Sequence, residues 1–201
     1  MLTLYDMSLS GNCHKVRLLL SLLALPYQIQ PVDLRGGEQR GEPHLQRNPF
    51  GQVPVLVDDE LVIRDSQAIL VYLAKRYGGE QWWQDDAYQL AQITAWLSTA
   101  ANEIFHGPAL LRVHYKFGRE INTAFAQQTA DKVLSIIDRH LQNQDWLVGD
   151  HVSIADIAIY PYLALAPEGN IDIVAYNNII AWFKRIRALS GYVDMPGMWQ
   201  E

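Results

Sequence analysis

The sequence predicts an α/β half followed by an all-helical half, and three observations carry that expectation. Residues 2–32 run from a short apolar stretch through a turn-rich loop and a long apolar segment to a second β-prone stretch, the order strand, helix, strand. Residues 55–57 and 61–63 are β-branched-rich runs separated only by Asp58-Asp59-Glu60, a connection short enough for antiparallel pairing. After Gly78-Gly79-Glu80-Gln81 the pattern turns helical and no convincing strand returns, so the break falls between Gly78 and Asp86. A chain of 201 residues holds enough material for two small domains, here residues 1–78, a linker at 79–86 and residues 87–201.

Taken in order, Leu2-Thr3-Leu4-Tyr5 is the first strand and Ser8-Leu9-Ser10-Gly11-Asn12 the loop after it. The helix expected from about Cys13 to Leu25 is apolar on most of its circumference (Val16, Leu18, Leu19, Leu20, Leu22, Leu23), which predicts burial on two sides. Tyr27 to Val32 is the next strand, joined to the first by a right-handed parallel crossover. Asp33 to Gln46 is a polar, glycine-rich connection with at most a short helix around His44-Leu45-Gln46. Val55-Leu56-Val57 and Leu61-Val62-Ile63 make the hairpin, and Ser66 is expected to cap a helix running through Gln67-Ala68-Ile69-Leu70 to Tyr77, with Gly78 as its stop. The order β-α-β, a weak α, then β-β-α is the thioredoxin-like arrangement. Beyond it, helices are expected over Asp86–Phe105, bent at Gly107-Pro108 and resuming from Leu111 to Phe117, over Ile121–Leu141, and over Tyr176–Leu189. Ser153-Ile154-Ala155-Asp156 is a capping box, with Val152 and Ile157 spaced as a hydrophobic staple, opening a helix that is apolar all round.

Composition narrows the function. Hydrophobic residues make up 49% of the chain and charged residues 19%, which suits a globular protein and argues against disorder. A net charge of -6 disfavours general nucleic-acid binding. The single cysteine, Cys13, excludes an internal disulfide and a multi-cysteine metal site and suits a reducing compartment, so a cytoplasmic location is expected. No signal peptide, lipidation motif or spanning apolar run is visible, and the six histidines lack ligand spacing, so neither a membrane nor a metal role is expected.

The chemistry concentrates in Gly51-Gln52-Val53-Pro54 and Arg64-Asp65-Ser66. Pro54 cannot donate to a ladder, and a cis Val53-Pro54 bond is expected at the mouth of the strand. In either isomer the Val53 amide and carbonyl stay free of the sheet and can pair with an extended ligand. The helix amides at Ser66 suit a carboxylate, and Asp65 supplies an acceptor for an ammonium beside it. Together they describe a pocket for a peptide-like zwitterion, although a plain capped helix after a hairpin would carry the same cap signal.

On Asn48-Pro49-Phe50-Gly51-Gln52-Val53-Pro54, Asp65-Ser66-Gln67-Ala68-Ile69 and Gly149-Asp150-His151-Val152-Ser153-Ile154-Ala155-Asp156, in that order and spacing, the chain resembles the cytosolic glutathione transferase superfamily over nearly its whole length. The likeness is to bacterial-type, zeta-, theta- and nu-like members with a serine or asparagine active site. It implies a detoxifying transferase that takes glutathione as co-substrate and no metal, working as a homodimer on a small hydrophobic electrophile. It further implies that Val53, beside Pro54, pairs with the cysteinyl part of glutathione, that Asp65 and Ser66 hold the γ-glutamyl end, and that Gln39, or less directly Gln52, reaches the glycyl end.

Counted back from Val16, Ser10 falls where the zeta and theta classes carry a catalytic serine, Asn12 falls where the beta class has a cysteine and resembles the asparagine of some nu-class bacterial enzymes, and Cys13 is one position late. A hydroxyl or amide donating to the sulfur favours thiolate over thiol, and a helix N-terminus adds to the effect. Phe105, Leu111, Arg112 and Tyr115 are candidates for lining the electrophile site and equally for core or dimer contacts. His106 and Asp156 are read as structural residues. A glutathione-dependent disulfide reductase or peroxidase is the alternative if Asn12 faces the sulfur, and a non-catalytic binding or scaffold protein is the alternative from outside enzymology.

Overall fold

A computed structural model of the chain describes residues 1–83 and 85–200. Gln84, in the expected linker, and Glu201, at the end of the expected second domain, lie outside the described residues. Four strands form one mixed sheet in the order β2-β1-β3-β4, with β1 at Leu2–Asp6, β2 at Tyr27–Pro31, β3 at Val55–Asp58 and β4 at Leu61–Arg64. β1 pairs parallel with β2 and antiparallel with β3, in a register that sets Leu4 against Leu56, both fully buried. The hairpin closes as the short connection demands, and the Val53-Pro54 bond is cis as expected.

Helix α1 (Gly11–Leu22) crosses from β1 to β2 with Val16, Leu18, Leu19 and Leu20 fully buried. It packs against α3 (Ser66–Tyr77) and against α8 (Ile154–Ala164) of the helical half, which is why no polar stripe shows in its sequence. It begins two residues earlier than expected because the Ser10 hydroxyl accepts from the Cys13 amide at 3.2 Å and makes Ser10 the cap. It ends before Leu25 because Ala24 turns left-handed at φ 50°, with Leu25 N donating to Leu20 O and Ala24 N to Ser21 O, a Schellman closure. The polar connection folds into a 3-10 turn at Glu38–Arg40 and α2 at Glu42–Leu45. A short helix, α4 (Gly79–Trp82), occupies the start of the stretch expected as linker.

The rest is helical: α5 (Ala87–Ala101), α6 (Leu110–Phe117), α7 (Thr123–His140), α8 and α9 (Asn177–Arg187). Between α5 and α6 the expected bend is a π turn over Phe105–Ala109 with Pro108 inside it. Gly107 lies against α7, where a Cβ would come within 2.8 Å of the Ala130 amide. The capping box at Ser153 and Asp156 is complete, and the staple residues Val152 and Ile157 are both buried. Asp156 also accepts from Leu147 N at 3.0 Å and Trp182 Nε1 at 2.9 Å, tying the preceding loop and α9 to the start of α8.

Candidate functional site

The amino terminus of α1 opens into a cavity of about 400 Å³ lined by Ser10, Asn12, Gln39, Gln52, Val53, Asp65 and Phe105 among others, a size suited to a small ligand. Seven of the residues singled out from sequence thus come together although they span most of the first half and part of the second. A groove of about 920 Å³ between α5 and α7 is larger, but it is lined by Trp96, Phe125, Val133, Ile136 and their neighbours and holds none of those seven.

Each wall has a local cause. Asn48 Nδ2 and His44 Nε2 both meet the Gln52 carbonyl, at 2.9 and 3.0 Å, which holds the chain rigid just before Val53. No hydrogen bond forms to the Val53 amide or carbonyl among the described residues, so the backbone there is open to an extended ligand. Gln39 is held through Nε2 to Leu34 O at 3.4 Å, while its buried Oε1 has no partner among the described residues. An amide oxygen left in this state beside a cavity favours a ligand N–H.

At the opposite wall the expected cap shifts by one residue. Asp65, not Ser66, caps α3: its Oδ1 accepts from Gln67 N at 2.9 Å and Ala68 N at 3.1 Å, from a backbone at φ 72° that few non-glycine residues adopt. With Oδ1 engaged, the second carboxylate oxygen is the one available to an ammonium. Ser66 becomes the first helical residue, is buried, and turns its hydroxyl onto Gln67 Oε1. Gln67 lines the cavity, whereas Ser66 and Pro54 stand behind the lining.

At the amino terminus of α1, Ser10 Oγ accepts from the Cys13 amide and so keeps its own proton for donation into the cavity. Asn12 lines the same cavity. Cys13 does not: it is fully buried, its Sγ meets the Met7 amide at 3.5 Å, and burial pushes its thiol up to about 12, so it is an inert packing residue.

The electrophile candidates divide. Phe105 lines the cavity, with Ala100 and Ala101 beside it at the end of α5. Leu111 is buried in the core, and Arg112, also buried, donates through Nε to Glu168 Oε2 at 2.7 Å and through Nη1 to Leu9 O at 2.9 Å. Tyr115 is exposed beside His114 and does not line the cavity. The side chains of the helix after the π turn therefore leave the site to Phe105, at the start of that turn, and to the residues before it. Gly51 and Gln67, quoted in the sequence motifs without a role of their own, complete the lining with Leu34, Ala100, Ala101 and Tyr162, which were not singled out from sequence. For Ala100-Ala101 the small-residue pair just before the break was a usable signal; for Tyr162 there was none, because its helix is apolar on every face.

Two family descriptions match the chain, Glutathione S-transferase, N-terminal domain, over residues 4–81 and Glutathione S-transferase, C-terminal domain, over residues 101–190. Glutathione S-transferase 3 of Zea mays is 33% identical over 199 residues, covering 93% of this chain and 89% of the relative. Glutathione S-transferase GstB of Escherichia coli (strain K12) is 30% identical over 195 residues, covering 92% of this chain and 93% of the relative. The crystal structure of a glutathione S-transferase from Pseudomonas fluorescens superposes with a TM-score of 0.91 at 32% identity, covering 97% and 98% of the two chains. A glutathione transferase homologue from Drosophila mojavensis, solved with bound glutathione, superposes with a TM-score of 0.84 at 26% identity, over 94% of this chain and 88% of its own.

Proposed function

The chain belongs to the glutathione S-transferase family, and from that premise we propose that it binds glutathione in the cavity at α1 and activates its sulfur for attack on a small apolar electrophile. The observation that carries this reading is Ser10: its oxygen is occupied by the Cys13 amide, so its proton is free, and it shares one cavity with Asp65 and the open backbone of Val53. The γ-glutamyl ammonium goes to Asp65, the cysteinyl backbone pairs with Val53, and the glycyl end reaches Gln39 and Gln52. The sulfur then lies at the helix N-terminus, where the Ser10 hydroxyl and the helix dipole favour the thiolate. The thiolate forms the new S–C bond, and the electron pair leaves with the departing group or, in an addition, passes to the adjacent atom and takes up a proton. Ala100, Ala101 and Phe105 offer the electrophile an apolar seat.

A glutathione-dependent disulfide reductase or peroxidase is the second reading, favoured by Asn12, whose position in the same cavity lets it address the sulfur. For its assembly we propose a homodimer, which would cover exposed apolar side chains such as Phe50, Phe125 and Ile136, and for its role, detoxification in the cytoplasm. Turnover of glutathione with aryl halides, epoxides, hydroperoxides and small disulfides is the test. Conjugation of carbon electrophiles is expected; turnover of disulfides or hydroperoxides alone would replace the first reading with the second, and no binding of glutathione at millimolar concentration would sink both.

A further inference from the structure

One wall of the cavity comes from the helical half. Tyr162 of α8 stands there with Ser10 and Asn12. The far end of its ring rests on the first residue of α1: a Cβ on Gly11 would meet Tyr162 Cζ at 2.8 Å and Cε1 at 2.9 Å. The space a side chain would take at Gly11 is thus filled by the phenol, whose hydroxyl, carried on Cζ, sits at the amino terminus of α1 with the Asn12 backbone N–H facing its oxygen. An oxygen served by an amide keeps its own proton for another acceptor. Burial, opposed by Arg112 and the Asn12 amide, pushes the phenol up to about 12, so that proton stays in place at working pH.

Lys15 stands against the same ring, with Nζ 5.4 Å from its centroid. It is fully buried, and its Nζ has no hydrogen-bond partner among the described residues. Burial pulls the amine down to about 7, against the attraction of Asp65. Core packing does not ask for this: a methionine would fill the space without desolvating an amine. In its charged form the lysine lies within cation–π reach of the ring and strengthens the phenol as a donor.

We propose that Tyr162 is a second hydroxyl donor to the glutathione sulfur, supplied by the helical half, and that Lys15 is the polarising and positioning residue behind it. The proposal rests on the glutathione reading above. The titratable groups that face the phenol are Lys15 and Cys13 from α1 and Arg112 from α6. Cys13 stays a neutral thiol, so the field at the hydroxyl comes from Arg112 and, when its amine is protonated, from Lys15.

The test is Tyr162→Phe, which keeps the ring over Gly11 and removes only the oxygen. Thiolate absorbance of bound glutathione, titrated against pH, is expected to show a pKa about one unit higher than in the unmodified protein, about tenfold less thiolate at low occupancy of the anion. Affinity for S-methylglutathione, which has no thiol to ionise, is expected to be unchanged. Lys15→Met is expected to shift the titration the same way by a smaller amount. A Tyr162→Phe protein that binds S-methylglutathione and titrates like the unmodified one overturns the proposal and leaves the glutathione reading standing. A shift in Tyr162→Phe with none in Lys15→Met overturns the part assigned to the lysine. An unmodified protein that binds neither glutathione nor its S-methyl analogue overturns the glutathione reading and the proposal with it.

Discussion

Arg112 Nη1 donates to the Leu9 carbonyl at 2.9 Å, so a side chain of α6 holds the backbone residue that precedes Ser10. Arg17 Nη2, on α1, donates to the neighbouring Ser8 carbonyl at 2.9 Å. Two guanidinium groups, one from each half, therefore fix consecutive carbonyls of the loop that delivers Ser10 to the cavity. Arg112 is in turn held by Glu168, which also pairs with Lys116.

Arg112→Met should lower stability by about 3 kcal/mol or more, since it leaves a partly buried carboxylate short of a partner and frees the Leu9 carbonyl. Urea unfolding measures the loss, and the double variant with Glu168→Gln should recover part of it. Arg112→Lys should not rescue, because one ammonium cannot reproduce the guanidinium fork that reaches both Glu168 and Leu9. Full stability in Arg112→Lys would show that charge alone matters there.

Much of this architecture was legible because it is written in local chemistry. The hairpin follows from two β-branched runs and a short connection, the start of α8 from the spacing of Ser153 and Asp156, and the break between α5 and α6 from Gly107-Pro108. What was not legible depends on contacts between distant segments. Arg112 was a charged residue near an expected cleft, and only the fold reveals that its fork is spent on Leu9 and Glu168. Asp65 carries the cap rather than Ser66, and since both residue types favour that position, only the fold tells them apart. Tyr162 lies on a helix with no polar face, so neither periodicity nor composition separates the side chain at the cavity from those in the core.

Asp156 is fully buried and takes four donors, from Leu147 N, Ser153 N, Ser153 Oγ and Trp182 Nε1. Asp156→Ala removes the acceptor for all of them at once and strands buried donors in apolar surroundings. A loss of about 3–5 kcal/mol is expected, large enough to deplete the folded protein at 37 °C. Thermal unfolding followed by tryptophan fluorescence reads it directly, since Trp182 is one of the orphaned partners.

His14 is buried on α1 with neither ring nitrogen partnered among the described residues, and burial, reinforced by Arg17 and opposed by Asp194, pulls it down to about 3. The unfolded chain takes up this proton near pH 6.5, so the unfolded state binds it first and stability falls as pH drops from about 6.5 toward 3. The slope from this residue alone is at most about 1.4 kcal/mol per pH unit. His14→Leu should flatten the acid limb of stability against pH while changing it less near neutrality. Parallel acid limbs in the two proteins would show that His14 charges as readily folded as unfolded.

Ala24 closes α1 in the left-handed conformation at φ 50°, which costs a residue with a Cβ about 1 kcal/mol or more. Ala24→Gly removes that strain and returns part of the gain as extra freedom in the unfolded chain. A net stabilisation of about 0.5 kcal/mol is expected, seen as a higher urea midpoint at unchanged slope. A lower midpoint would mean that the Ala24 methyl packs usefully where it stands.

In the proposed reaction the decisive residue is Ser10, and the two jobs assigned to it can be separated. Its oxygen caps α1 through the Cys13 amide, and its proton is free for the glutathione sulfur. An unassisted thiol of this kind ionises near pH 8.5, and one hydroxyl together with a helix terminus lowers that by about one or two units, each unit about 1.4 kcal/mol of preference for the anion. Ser10→Ala loses both the cap, about 1 kcal/mol, and the donor, whereas Ser10→Gly loses the donor and only a few tenths of the cap. Both variants should raise the pKa of bound glutathione by a similar amount, read from thiolate absorbance, while differing in helix stability. Glutathione affinity should hold, because the proposed anchors are Asp65 for the γ-glutamyl end, Val53 for the cysteinyl backbone and Gln39 for the glycyl end, none of them at the sulfur. Asn12→Ala should move the titration much less. If Asn12→Ala moves it and both Ser10 variants leave it in place, the asparagine handles the sulfur and the disulfide-reducing reading displaces conjugation.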